Sequence, residues 1–259
     1  MAKGYSKIRM SYDELAYILS LFDVDTYVFF ENQGRSIGVE KAVPLINDMI
    51  RKKWLIPGKK RYMMSSEIRQ YVDHIKDHTG LFFVKSNNYN HCHDLLCYSL
   101  KNSVLSLEKD YNREEYILLS LNDAGSFVEM LEEEGYLRNI IPVNEEDLNE
   151  AEKYLADYEI HDALNSLAIK DANNAILSFE CVSEQGENER DSFGWIPKDP
   201  FAEEDKIQIS YVQNVTKIYV YGKELYPFIV VLKDKYAISI PYNKKNLVRI
   251  LSGYIMGGL

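Results

Sequence analysis

A chain of 259 residues with 46% hydrophobic residues can bury a substantial core, as one large domain or two small ones. Its net charge of −10 repels polyanions, which argues against general nucleic-acid binding and leaves basic or neutral protein partners open. The opening MAKGYSKIRMSYDEL has no long apolar run, and no stretch approaches the roughly 20 apolar residues of a membrane span. Neither a signal peptide nor a spanning helix is therefore expected. Cys92, Cys97 and Cys181 are a sparse, odd set that suits a reducing cytoplasm better than secretion.

Ser11-Tyr-Asp-Glu14 reads as a capping box. Leu15, Ile18, Leu19 and Phe22 follow at helical spacing, so the first helix has one buried stripe. Tyr27 to Phe30 is a short apolar run, strand or buried turn. Val39 to Trp54 predicts a second helix with Val43, Ile46 and Ile50 on one face; Pro44 marks its beginning or a kink. Leu55 to Tyr62 predicts a hairpin around a Pro-Gly turn. Ser65 or Ser66 caps the next helix, whose face is Ile68, Tyr71, Val72 and Ile75 and which Gly80 can end. Four strands are expected at Leu81–Ser86, His93–Leu100, Val104–Lys109 and Glu115–Leu121, then a helix from Asp123 to Glu134.

Beyond Pro142, Asn144 is expected to cap a long helical region through Leu148, Ala151, Leu155 and Tyr158 to Leu167. Strands are expected at Ala175–Ser183, Lys206–Gln213, Thr216–Tyr221, Leu225–Leu232 and Tyr236–Ile240. The last helix carries Leu247, Ile250, Leu251 and Tyr254. The acidic stretch Glu184 to Asp205 carries Phe193, Trp195 and Phe201; an irregular segment of that length is uncommon and often functional.

The end of the chain repeats its middle. Tyr116 to Leu131 (YILLSLNDAGSFVEML) aligns without a gap on Tyr236 to Leu251 (YAISIPYNKKNLVRIL), at an offset of about 120 residues. Each is a short strand, a polar break and an amphipathic helix. Phe127, Val128, Met130 and Leu131 fall on Leu247, Val248, Ile250 and Leu251. The expectation is an α+β protein with largely antiparallel sheet, in two similar halves: residues 1–140, with a winged-helix-like start, and residues 141–259.

Few groups suggest chemistry. His91-Cys-His-Asp94 with Cys97 offers atom types that zinc accepts, but a strand beginning after an Asn-rich loop accounts for the same residues, and no metal is expected. No nucleophile elbow, phosphate loop, dinucleotide fingerprint or zinc-protease motif occurs. Glu132–Glu134 and Glu145–Asp147 lie at a helix end and a helix start, as solvated faces do. Arg51, Lys52, Lys53, Lys59, Lys60 and Arg61 form the strong basic run. In a winged helix such residues touch phosphates, which makes a DNA-binding regulator the alternative function; as plain structure, they are a helix C-terminus and a solvated turn.

Three stretches resemble one family. SYDELAYILSLFDV is similar to the opening helix of the EspG-type chaperones of the ESX (type VII) secretion system. VPLINDMIRKKWLIPGKKRYMMSSEIRQYVDHIKDHTG is similar to their helix, turn and helix before the first strands. YAISIPYNKKNLVRILSGYI is similar to their closing strand, proline and helix. The resemblance implies two α+β halves around a pseudo-twofold, a cytoplasmic location, no catalysis and no cofactor. It also implies a protein partner, a secretion substrate whose apolar tip is kept covered until export. A toxin-immunity protein, also acidic and non-catalytic, is a further alternative.

Phe193 and Trp195 are candidate anchors for the partner by residue type and loop position. If they serve so, Trp195→Ala lowers partner affinity while leaving thermal unfolding unchanged; equal affinity of the folded variant removes them as anchors.

Overall fold

Ser11 ends the first strand and starts the first helix. Its hydroxyl accepts the Glu14 N–H at 3.2 Å, and the Glu14 carboxylate accepts the Ser11 N–H at 2.8 Å, which completes the capping box expected from the sequence. The structure, a computed structural model, describes residues 5–22, 24, 38–59, 61–87, 94–110, 112–138, 140–157, 175–183, 215–222, 225–233 and 236–254. Tyr27–Phe30, the strand expected at Lys206–Gln213, the acidic stretch Glu184–Asp205 and the helical continuation beyond Asp157 lie outside the described residues.

In chain order the elements are β1 (Ser6–Ser11), α1 (Tyr12–Leu21), α2 (Val39–Arg51), β2 (Leu55–Pro57), β3 (Tyr62–Met64), α3 (Ser66–Lys76), β4 (Gly80–Ser86), β5 (Leu95–Leu100), β6 (Ser103–Asp110), β7 (Glu115–Leu121) and α4 (Ala124–Glu133). There follow α5 (Leu148–Asp157), β8 (Leu177–Ser183), β9 (Val215–Tyr221), β10 (Phe228–Lys233), β11 (Tyr236–Pro241) and α6 (Lys244–Tyr254). The fold is α+β. Among the described residues nine strands form one antiparallel sheet in the order β1-β7-β6-β5-β4-β8-β9-β10-β11, and β2-β3 is a separate hairpin. Strands β4 to β7 meander outward from β4, and β8 to β11 meander outward from β8. The two meanders join where β4 pairs with β8, from Gly80–Ser183 to Ser86–Leu177.

The two aligned stretches each form a strand followed by a helix: β7 with α4, and β11 with α6. Helices α4 and α6 pack on each other over one face of the sheet. Phe127, Val128, Met130 and Leu131 of α4 share one buried cluster with Leu247, Ile250 and Leu251 of α6, and Val248 packs against it. Beneath them lie Phe82, Val84, Cys97, Leu119, Phe179, Ile218 and Val231. Phe82 and Phe127 meet edge to face, with centroids 5.7 Å apart at 85°. Alternate residues of the same strands (Leu81, Leu96, Tyr98, Leu105, Leu118) point to the other face, where α1, α3 and the hairpin base cover them. Strands buried on both faces explain why Tyr116–Leu121 reads as a nearly unbroken apolar run. Leu155 of α5 packs with Tyr219 and Val230 on that second face.

Several boundaries differ from the sequence expectation. Strand β1 was not anticipated. Its alternation of Lys7 and Arg9 with Ile8 and Met10 is a strand pattern, although only Ile8 and Met10 are buried. Helix α2 starts at Val39, contains Pro44 and stops at Arg51 instead of reaching Trp54. Val43, expected on its buried face, is exposed, and Met49 is the buried residue. Helix α3 ends at Lys76, and Gly80 opens β4. Asn144 precedes a short 3₁₀ turn (Glu145–Asp147) without a side-chain cap bond, so α5 begins at Leu148.

Helix α3 is tied to the sheet by polar contacts in the core. Tyr71 donates to Ser6 at 2.6 Å, Gln70 donates to Ser120 at 2.8 Å, and the His74 Nδ1–H donates to the Gln70 carbonyl at 2.7 Å. The His74 Nε2 lies 2.9 Å from the Ser103 hydroxyl. Burial pushes the imidazole of His74 below its ordinary 6.5, against the opposing pull of the Gln70 carbonyl and Asp73.

Two expectations follow. Phe127→Ala removes the ring that α4 sets on Phe82 and costs roughly 3–5 kcal/mol in urea unfolding. For His74, the unfolded chain binds the proton more readily than the fold, so its contribution is intact above 6.5 and declines as pH falls below that value towards the lowered folded pKa. His74→Gln, compared with the parent between about pH 8 and about pH 5, therefore shows a shallower loss of melting temperature.

Candidate interaction surface

The β2–β3 hairpin stands on a firmly tied base. Helix α2 closes with two backbone bonds: Lys53 N–H to the Ile50 carbonyl at 3.0 Å and Trp54 N–H to the Met49 carbonyl at 2.9 Å. This is the Schellman arrangement, in which the residue after the cap turns left-handed. Here that residue is Lys53, with φ of 62°. Lys52 pairs with the buried carboxylate of Glu14 on α1 and with Asp48 on α2, 2.8 Å away, and its ammonium stands 4.5 Å from the Trp54 ring centroid. Burial opposes the charge on Lys52, but hydrogen bonds to Asp48 and Glu14 outweigh it and its pKa is raised. Hydrogen bonding from Lys52, and also from Arg51, holds the Asp48 carboxyl below its ordinary value.

From that base the chain runs out along Leu55–Pro57 and back along Tyr62–Met64. Register pairs Leu55 with Met64, Ile56 with Met63 and Pro57 with Tyr62. Leu55 is buried, so the pleat turns the Ile56–Met63 pair outward. Ile56 is 45% exposed, Met63 50% and Tyr62 37%. The Gly58 N–H donates to the Arg61 carbonyl at 3.0 Å, and a Cβ at Gly58 would lie 2.5 Å from that oxygen, so the turn requires glycine.

The structure divides the six expected cations. Arg51 and Lys52 are held in ion pairs with Asp48 and Glu14. Lys53, Lys59 and Arg61 are exposed around the apolar pair and make no ion pair among the described residues. Lys60 lies outside the described residues, as do Phe193, Trp195, His91, Cys92 and His93. Cys97 is a buried core residue facing α4 and α6. Among the described residues no cluster of three His, Cys, Asp or Glu side chains is placed to hold a metal, and no helix is long and apolar enough to cross a membrane.

A concavity of about 360 Å³ lies where α4 ends, lined by Leu137, Ile140, Pro142 and Tyr242 together with Glu132–Glu134. Its carboxylates are engaged: Glu132 with Lys244 at 3.1 Å, Glu133 with the Tyr5 hydroxyl at 3.1 Å, and Glu134 with Lys7 at 3.7 Å. Burial, with Glu132 nearby, pushes the Tyr242 phenol well above its ordinary value. These groups fasten the chain end of α4 to β1 and α6.

Sequence reasoning located the cations and missed the apolar pair between them. Its signal was present: Ile56 and Met63 hold equivalent outward positions once the turn is centred on residues 58–61.

No protein-family model matches this chain, and no curated protein sequence matches it. Among solved structures it is similar to the Mycobacterium tuberculosis type VII secretion system chaperone EspG5, solved in complex with a PE25–PPE41 dimer. The identity is 8% over 94% of each chain, with a TM-score of 0.44. At that level no residue can be carried from one chain to the other.

Charge reversal at the base gives a direct check. Glu14→Lys removes the capping carboxylate and sets a cation against Lys52, and it lowers stability by about 2–4 kcal/mol in chemical unfolding.

Proposed function

We propose that this chain is a non-enzymatic adaptor or chaperone that binds another protein through the β2–β3 hairpin. The observation that carries the reading is the Ile56–Met63 pair, about half exposed and directly opposed on a hairpin whose base is fixed by ion pairs. Transferring such side chains fully from water contributes roughly 1.5–3 kcal/mol each, enough to anchor a partner when a polar rim excludes water around them. Most remaining large apolar side chains of the described sheet are consumed by its two faces.

On this proposal the two halves, residues 1–140 and 141–259, are one unit built twice about a twofold at the β4–β8 seam. The matching order of elements on either side of that seam supports it. The finer reading, a partner that is a substrate of type VII secretion met in the cytoplasm, rests on the sequence resemblance to EspG-type chaperones. Phe193 and Trp195 also remain proposed anchors.

A second reading, nucleic-acid binding, is favoured by Lys53, Lys59 and Arg61. It leaves the exposed apolar pair at its centre without a role, since phosphate contacts come from the cations. A gel shift titrated with salt separates the two, because a DNA regulator loses affinity steeply as salt rises.

The adaptor reading is tested by using the chain as bait in a native-cell extract. The double variant Ile56→Asp/Met63→Asp retains the parent's melting temperature, since both positions are exposed, and loses at least about tenfold of the captured partner. Undiminished capture by the folded double variant removes the hairpin as the binding surface.

A further inference from the structure

We infer that the segment docking on this hairpin is acidic and amphipathic, with two apolar side chains about one helical turn apart. The inference rests on the adaptor reading and adds to it the chemistry of the partner. From Arg51 to Ser66 the sequence holds six cations and no acid, in a chain whose net charge is −10. Arg51 and Lys52 serve the base. Lys53, Lys59 and Arg61 are left to face solvent around Ile56 and Met63.

Lys53 occupies the left-handed position after α2, with φ of 62°, and its exposed side chain makes no ion pair among the described residues.

The arrangement also selects among occupants. A second copy docking the same face on itself would set Lys53, Lys59 and Arg61 against their own likeness, which is repulsive. Met63 and Arg61, which share the outward face, are residue types enriched in protein interfaces. Ile56 and Met63 are a directly opposed cross-strand pair, about 4.5–5.5 Å apart at Cβ. Residues three or four apart on a helix show about the same spacing, so one face of a partner helix meets both. Its remaining carboxylates then lie within reach of Lys53, Lys59 and Arg61. Charge steers the encounter, and the apolar pair sets how long the complex lasts.

The test uses three synthetic helical peptides of about 18 residues, a length at which a helix can form. They share a leucine stripe and carry Glu, Gln or Lys at every other surface position. Binding to the full chain is followed by fluorescence anisotropy. The Glu peptide binds at least about tenfold more tightly than the Gln peptide, and the Lys peptide does not bind. The preference shrinks as salt rises from about 0.05 M to about 0.3 M. Lys53→Glu/Lys59→Glu/Arg61→Glu inverts the order, and Ile56→Asp/Met63→Asp abolishes binding of all three, with both variants retaining the parent's circular dichroism.

Equal affinity for the three peptides, abolished by Ile56→Asp/Met63→Asp, overturns the acidic partner while leaving the adaptor reading intact. Peptide binding that survives Ile56→Asp/Met63→Asp overturns both. Failure of all three peptides overturns the acidic helix. In that case, binding instead to vesicles of phosphatidylcholine with phosphatidylglycerol reassigns the hairpin to a membrane surface, and binding to duplex DNA reassigns it to nucleic acid.

Discussion

Everything in this molecule hangs on a single seam, the antiparallel pairing of β4 with β8 beneath the packed helices α4 and α6. Five strands lie on one side of it and four on the other. Backbone bonds along seven residue pairs close the sheet, and the two helices cover the join with side chains drawn from both halves of the chain. Backbone pairing alone contributes little net stability, because water offers the same bonds to the unfolded chain. The apolar burial above the seam supplies the preference, and the hydrogen bonds fix the register in which it is obtained.

The hairpin is organised on the opposite principle. Its base is electrostatic, with the buried Glu14 carboxylate meeting both a backbone N–H and Lys52, and its tip leaves apolar atoms in water. A buried carboxylate without its cation is costly, so Lys52 is committed to structure and unavailable to a ligand. Cations that look alike in sequence therefore separate by environment. Arg51 and Lys52 answer acids on α1 and α2, while Lys53, Lys59 and Arg61 make no ion pair among the described residues.

Much of this architecture was legible in the sequence. The ungapped match of Tyr116–Leu131 to Tyr236–Leu251 holds in its helices, where Phe127, Val128, Met130 and Leu131 share one core with Leu247, Val248, Ile250 and Leu251; in the strands it sets Ser120, which faces α3, on Ile240, which faces α4 and α6. Capping at Ser11 and Ser65 was legible because a cap is local chemistry, needing only an oxygen and a free N–H a turn away. Strand β1 escaped notice because its evidence is non-local: a four-residue alternation says little until β7 supplies its other edge. The end of α2 escaped for a different reason. Lys53 reverses the chain without a glycine to announce it. The exposed pair at the hairpin tip depended on register, which a turn fixes and composition does not.

The order in which strands are laid down has a cost during synthesis. Residues 6–11 find their partner only in residues 115–120, and β4 finds its second neighbour only in residues 177–183. Until then β4 is paired only with β5, and its other edge presents open backbone groups, a template for any passing chain. A chain cut short between β7 and β8 would keep that edge open.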